Sequence, residues 1–405
     1  MAEVRVASAR GVWLTDTAGR HYLDAYNNVP CVGHNHPRVT EATARQARLL
    51  NTNMRYLHDA AIELAERLVA TCPDGLDTVL FVNSGSEAND LAWRMATTFT
   101  GNAGGLCTAR AYHGISDAMA PLSPESWYAG RPPTHVETWA PPDSYRGTNV
   151  DPSAFAAAIE RMRSRGIAPA ATILDGLLTS DGIYDLDPGY VEELVRLTHA
   201  AGGLWIADEV QGGHGRAGNA MWSFQRFGIR PDFVTLGKPM GNGHPVAAVI
   251  TRREIAQRFT TDTVFFSTFG GNPVSAAAGL AVLDVLDDER VLARVQAAGT
   301  ALRARIRDVA QRHRAIGDVR GIGLAIGIEM VRDRQTKEPD PAATSAIKEG
   351  MRDRGVLVGT TGPAGNILKV RPPLAFTTAH VPVFIEALEG ALSGLEAPPI
   401  RQPQT

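Results

Sequence analysis

Five short apolar runs, residues 78–82, 171–174, 204–207, 233–236 and 246–250, constrain what this chain can fold into more than any other feature. Each is too short to be a helix core and too continuous to alternate with solvent, so each reads as a strand buried on both faces. Helical patterns lie between them. That alternation predicts an α/β fold, a largely parallel sheet with helices on both sides, with ligands held beyond the carboxyl ends of the strands.

The texture changes after Asn272-Pro273, a helix cap followed by a first-turn proline. An alanine-rich helix is expected to run toward Leu286 and a second to about Arg312. Strand candidates at 323–330, 356–358 and 367–370 then surround a helix near 342–354, and a last helix spans 380–395. This C-terminal part reads as a smaller α+β domain. The first forty or so residues, with short strands at 12–14 and 21–23, are expected to pack beside it. The division is therefore 1–45 and 301–405 for the small domain and 46–300 for the large one, with a polar, proline-containing tail after Ala397.

Composition excludes several classes. With 40 basic against 43 acidic residues the net charge is -3, which gives no case for nucleic acid or an anionic membrane as partner. Cys31, Cys72 and Cys107 are odd in number and far apart, which fits a reducing cytosol better than a disulfide framework. No run approaches the roughly eighteen apolar residues of a membrane span, and the first residues lack a signal-peptide core, so a cytoplasmic protein is expected. His34 and His36, followed by Pro37, lack a credible third ligand, so no metal is expected.

Three stretches carry chemistry. NSGSEAND, residues 83–90, follows a strand and opens a helix, so the N–H groups of Gly85 and Ser86 and the Ser86 hydroxyl would meet an anion at the helix's positive end. Ser84 and Glu87 also have the spacing of a simple capping box. In LWIADEVQGGHGRAG, residues 204–218, Asp208 ends a buried strand and needs a cationic partner there, either an arginine or a protonated pyridine nitrogen. Gly213, Gly215 and Gly218 match the dinucleotide glycine pattern, but no helix follows at once, and that site is discounted. In TLGKPMGNGHP, residues 235–245, Lys238 leaves a buried strand and enters a loop rich in glycine and proline. Desolvation there would lower its pKa and suit a Schiff-base nucleophile, whereas the bland alternative is a lysine reaching solvent.

A phosphate turn, a pyridine carboxylate and a lysine about thirty residues later describe one ligand, pyridoxal 5'-phosphate (PLP). Together with NNVPCVGHNHP, AYHG and STFGGNP, these stretches give the chain a resemblance to the class III aminotransferases of PLP fold type I over essentially its whole length. The resemblance implies a seven-stranded-type sheet and a homodimer, or a tetramer, with shared active sites. It implies that Lys238 carries the cofactor as a Schiff base, Asp208 pairs with the ring nitrogen, and Val210 and Tyr112 flank the ring. Gly85 and Ser86 would hold the phosphate, with His113 and Gln211 beside the ring, while Thr268 reaches the cofactor phosphate of a neighbouring subunit.

Within the family, LLNTNMRYLHD, PDSYRG and NILKVRPPL resemble the ethanolamine-phosphate and hydroxylysine-phosphate lyases. Ordinary transaminases of the class place a carboxylate-binding arginine where this chain has Lys369, and Arg371, two residues on, points to the same strand face. A lysine is a poorer bidentate clamp, which favours a substrate without an α-carboxylate. The resemblance therefore implies elimination of phosphate and ammonia from a phosphorylated amine, with Arg55, Tyr56, Lys369 and Arg371 as candidate substrate contacts. Arg55 could equally be a surface or interface salt bridge. The alternative reaction is transfer of the amino group to a keto acid. A non-catalytic PLP-fold binding protein is disfavoured by the intact Lys238, Asp208 and Tyr112. Two departures, Asp175-Gly176 where the class usually has a glutamate and His214 where the branch has an aromatic ring, are expected to line the pocket.

Overall fold

The computed structural model describes residues 4–127 and 132–396, so the proline-containing tail after Ala397 lies outside the described residues. A seven-stranded sheet runs in the order Thr78–Val82, Ala247–Thr251, Phe233–Leu236, Leu204–Asp208, Pro169–Leu174, Gly104–Thr108, Val136–Trp139. Ala247–Thr251 is antiparallel to both its neighbours, and the other pairs are parallel. All five predicted runs are strands of this sheet, within a residue or two at the ends.

Period-two alternation sends successive side chains into different cores. Ile206, Phe233, Ala247 and Val249 pack beneath the helix Gly85–Thr100, while Ala207, Val234, Ala248 and Ile250 join the core that includes helices Pro273–Asp288 and Val291–Arg312. Both faces are thus covered, which is why these strands read as unbroken apolar runs. The Asn272 side chain accepts from the Ser275 N–H at 3.0 Å and caps Pro273–Asp288 as the Asn-Pro pair implies.

Two strands of the sheet had no apolar signature. Gly104–Thr108 opens on two glycines because a Cβ at Gly104 would stand 2.2 Å from Met162 Sδ and one at Gly105 2.7 Å from Leu122. Val136–Trp139 is a short edge strand interrupted by Glu137 and Thr138.

The C-terminal segment forms a second sheet of Ile316–Ile322, Ala325–Asp333, Ile367–Val370 and Gly359–Thr361, with Glu338–Pro339 added to its second strand. The strand expected at 323–330 is instead the return arm of a hairpin that turns at Gly323, where φ is +52°. A third sheet joins Val6–Arg10, Trp13–Asp16 and His21–Asp24 to Val356–Leu357, so the N-terminal strands do pair with the C-terminal segment. No helix among the described residues is long and apolar enough to cross a membrane. His34 bonds Asp24 at 2.7 Å and His36 bonds Glu289 at 3.2 Å.

Candidate active site

A cavity of about 290 Å³ opens at the carboxyl ends of the parallel strands. Gly85, Ser86, Tyr112, His113, Asp175, Asp208, Val210, Gln211 and Lys238 line it together with Asn89, and Val246 enters from the start of the antiparallel strand. Most of the residues singled out from three separate stretches therefore meet around one space.

The glycines explain how closely the strand tips approach. A Cβ on Gly85 would lie 2.8 Å from both methyls of Val210, and one on Gly237 would lie 3.0 Å from Gly85 N and Cα. Helix Gly85–Thr100 starts here, so first-turn N–H groups face the cradle. Capping does not use up this turn. Ser84 Oγ accepts from Glu87 N–H at 3.2 Å, and the Glu87 carboxylate reaches back to Asn83 N–H at 2.8 Å, leaving Gly85 and Ser86 to the cavity.

Asp208 is 4% exposed at the tip of its strand. Its Oδ1 accepts from Val210 N–H at 3.0 Å, and its Oδ2 accepts from Asn89 Nδ2 at 2.9 Å and from His113 Nδ1 at 2.6 Å. Because the carboxylate can only accept, His113 Nδ1 is the donor, and its buried Nε2 has no partner. Among the described residues no arginine pairs with Asp208; Val210, Asn89 and His113 hold the carboxylate beside the cavity.

Lys238 begins a short turn directly after Gly237 and is half-buried, lining the cavity. Burial pushes its pKa below the ordinary lysine range; the Asp208 charge opposes that shift and Arg371 adds to it. Asp175 also lines the cavity, its Oδ1 capped by Leu177 N–H at 3.0 Å and its Oδ2 by Thr179 N–H at 2.9 Å and Thr179 Oγ1 at 2.5 Å.

Lys369 and Arg371 are 8% and 6% exposed and, although within electrostatic reach of Lys238, are not among the residues lining the cavity. Burial brings Lys369 down to about 7, helped by the charges of Arg371 and Lys238 and opposed by Asp175. Arg371 stacks on Tyr26, and its Nε donates to the Tyr26 carbonyl at 3.3 Å while its buried Nη1 has no partner. Among the described residues neither cation forms an ion pair.

Other residues lie elsewhere. Arg55 is exposed and stacks on Phe266, Tyr56 is 67% exposed, and Thr268 is exposed in the adjoining segment. None of these three lines the cavity of the single chain. His214 does not line it either: it is buried edge-on against Trp222, centroids 5.0 Å apart, and burial drives its pKa down to about 3. Gly215 and Gly218 are glycines because Leu292 and Gln296 of helix Val291–Arg312 press on them, which accounts for the discounted dinucleotide pattern.

Sequence reasoning missed Asn89 and Ser123. Asn89 is a polar residue inside the apolar stripe Ala88, Leu91, Ala92 and Met95, and that interruption is its signal. Ser123 Oγ accepts the N–H groups of His113 and Gly114 at 2.9 and 3.1 Å, and nothing local in the sequence marks it.

Comparison with known proteins accords with this geometry. The family model for class-III aminotransferases matches residues 1–392. The ethanolamine-phosphate phospho-lyase homolog 1 of Caenorhabditis elegans is 38% identical, over 96% of this chain and 88% of its own. The human mitochondrial alanine–glyoxylate aminotransferase 2 is 34% identical, over 94% and 80%. A solved phospholyase from Arthrobacter in complex with phosphoethanolamine superposes with a TM-score of 0.93 at 40% identity, covering 97% of this chain and 95% of that one. A Bacillus anthracis aminotransferase does so at 0.87 and 28%, covering 97% and 94%. The fold thus serves relatives named for two reactions, and the chain belongs to the class III aminotransferase family.

Proposed function

We propose that the chain is a PLP-dependent lyase that removes phosphate and ammonia from a phosphorylated primary amine such as O-phosphoethanolamine, leaving an aldehyde. The observation that carries this reading is the pair of buried basic side chains, Lys369 and Arg371, which form no ion pair among the described residues; Arg371 acts electrostatically on Lys238, and Lys238 on Lys369. A buried charge without a counter-ion is costly, and a substrate phosphate offsets that cost. The likeness to the Arthrobacter phospholyase bound to phosphoethanolamine supports the choice of anion.

The residues fit the cofactor: the cradle at Gly85 and Gly237 has no room for a Cβ, and Asp208 presents a buried carboxylate to the cavity that the half-buried Lys238 also lines. When bound, PLP supplies a protonated pyridine ring that takes up the electron pair left when a C–H bond beside nitrogen breaks. In this reading Gly85 and Ser86 hold the phosphate, Asp208 holds the ring N–H, and Asn89 and His113 hold Asp208. Val210 and Tyr112 confine the ring, with Gln211 at its edge. Lys238 Nζ, shifted toward its uncharged form, accepts the proton from the carbon bearing the amine. Lys369 and Arg371 bind the phosphate ester that departs from the next carbon. Residues 46–300 form the cofactor lobe, and 1–45 with 301–405 form the lobe that brings Lys369. A second copy of the chain, in the same reading, contributes Thr268 and brings Arg55 and Tyr56 toward the substrate.

One substrate and one water give one aldehyde, one ammonia and one phosphate, so no acceptor is consumed. PLP-loaded protein given phosphoethanolamine and no keto acid is expected to release phosphate, acetaldehyde and ammonia in equal amounts over many turnovers. A second reading, class III transamination, is favoured by the unpartnered Arg371 Nη1, since a planar guanidinium suits the carboxylate of a keto acid. Absence of phosphate release, with turnover that requires a keto acid, establishes that reading instead.

Lys369 adds a pH dependence. Its charge is present below about 7 and is lost as pH rises through that value, so anion binding weakens on the alkaline side. KM for phosphoethanolamine is expected to climb between pH 7 and 9, by up to roughly tenfold per unit. Lys369→Arg keeps its charge and should flatten that limb; a flat profile in the unmodified protein would count against a role for Lys369.

A further inference from the structure

The segment PDSYRG, residues 142–147, has no atom in the cavity wall, yet it is tied to the strand beside Lys369. Arg146 Nη2 meets Glu329 Oε1 at 2.6 Å and donates to the Lys337 carbonyl at 2.8 Å, while its Nη1 meets Asp143 at 3.0 Å. Lys337 Nζ returns the contact by donating to the Tyr145 carbonyl at 2.7 Å. Glu329 is 1% exposed and gathers two further donors, Arg320 Nη1 at 2.7 Å and Asn366 Nδ2 at 3.2 Å. Arg320 Nε in turn donates to the Gly182 carbonyl at 3.1 Å, in the segment that follows Asp175. Glu329 is thus the common acceptor for a loop after the edge strand, the hairpin's other arm and the residue preceding Ile367–Val370.

Sheet register connects this hub to the substrate cations. Arg320, Gly327, Lys369 and Gly359 pair directly across four strands, and Asp318, Glu329, Ile367 and Thr361 form the adjacent row on the same face. Glu329 and Lys369 therefore project to one side, about 7 Å apart along the strands. Glycine flanks Lys369 in both neighbours because Gly327 lies against the Gly182 carbonyl, where a Cβ would stand at 3.0 Å, and Gly359 lies against the Tyr26 ring, where it would stand at 2.2 Å.

We infer that Arg146 is a positioning residue for substrate affinity, acting through Glu329 to hold the sheet face that bears Lys369 against the cofactor lobe. This inference rests on the reading of Lys369 as a phosphate ligand. Without Arg146, the loop 142–147 loses its hold on Glu329, while Arg320 and Asn366 still satisfy that carboxylate, so the fold survives and the placement of Lys369 loosens.

The test measures KM and kcat for phosphoethanolamine on the PLP-loaded enzyme carrying Arg146→Met, alone and combined with Lys369→Ala. Arg146→Met is expected to raise KM roughly tenfold with kcat within about twofold, and to add nothing once Lys369 is alanine. The rate of spectral change with propylamine, which lacks the anionic group, should be unaffected, and Arg146→Lys should restore most of the affinity. An unchanged KM, an equal loss toward propylamine, or full additivity with Lys369→Ala overturns the positioning role. If Lys369→Ala itself leaves KM unchanged, the reading of Lys369 fails first and the inference falls with it. Should Arg146→Met not fold, Glu329→Gln weakens the same hub from its acceptor side and is held to the same outcomes.

Discussion

Lys238→Ala should abolish turnover, with phosphate release from phosphoethanolamine falling by roughly ten-thousand-fold or more. In the proposed reading two roles vanish together: the amine that fixes the cofactor and the base that takes the substrate proton. The two carboxylates that line the cavity are not placed to stand in. Both Asp208 oxygens are occupied by donors, and Asp175 is capped by three. The variant should fold, because removing a desolvated amine relieves the fold of a burial cost. Thermal midpoint and phosphate release, measured on the same preparation, separate the two roles from a folding defect. Retention of activity within tenfold would show that the proton goes elsewhere.

The second large effect is expected at Asp208. Asp208→Asn keeps the shape but only one acceptor oxygen, which can serve either Val210 N–H or the Asn89 and His113 donors; PLP should remain bound through Lys238 and the Gly85 turn. The amide carries no charge to favour a protonated ring nitrogen, and kcat should fall by roughly a hundred- to ten-thousand-fold. The sign on Lys238 is also defined. The Asp208 charge raises the lysine's pKa, so its loss should move the acidic limb of the pH–rate profile to lower pH. A variant with normal kcat would reduce Asp208 to a structural carboxylate held by Asn89 and His113.

The central strands were legible because both faces are buried, which leaves no polar alternation to obscure them. Gly104–Thr108 was not legible, since close approach by Met162 and Leu122 replaces side-chain signal with glycine. The cavity-lining residues were readable from strand-tip positions: Gly85, Asp208 and Lys238 each follow a recognisable run and share one cavity. Asn89 and Ser123 act on neighbours distant in sequence and could be identified only once Asp208 and His113 were placed. His214 misled because a residue adjoining a motif was assigned to its pocket, whereas a backbone at φ +57° turns it toward Trp222.

The pairing of Thr78–Val82 with Ala247–Thr251 has a consequence for biosynthesis. Val82 sits opposite Ala247, so the edge strand that carries the Gly85 turn has no partner in this sheet until some 165 further residues have left the ribosome. Contacts so distant in sequence form late, and an unpaired strand is exposed to wrong partners meanwhile. The Leu204–Asp208 and Phe233–Leu236 tips can associate earlier, which leaves the Gly85 turn as the last wall of the cavity to be built during translation.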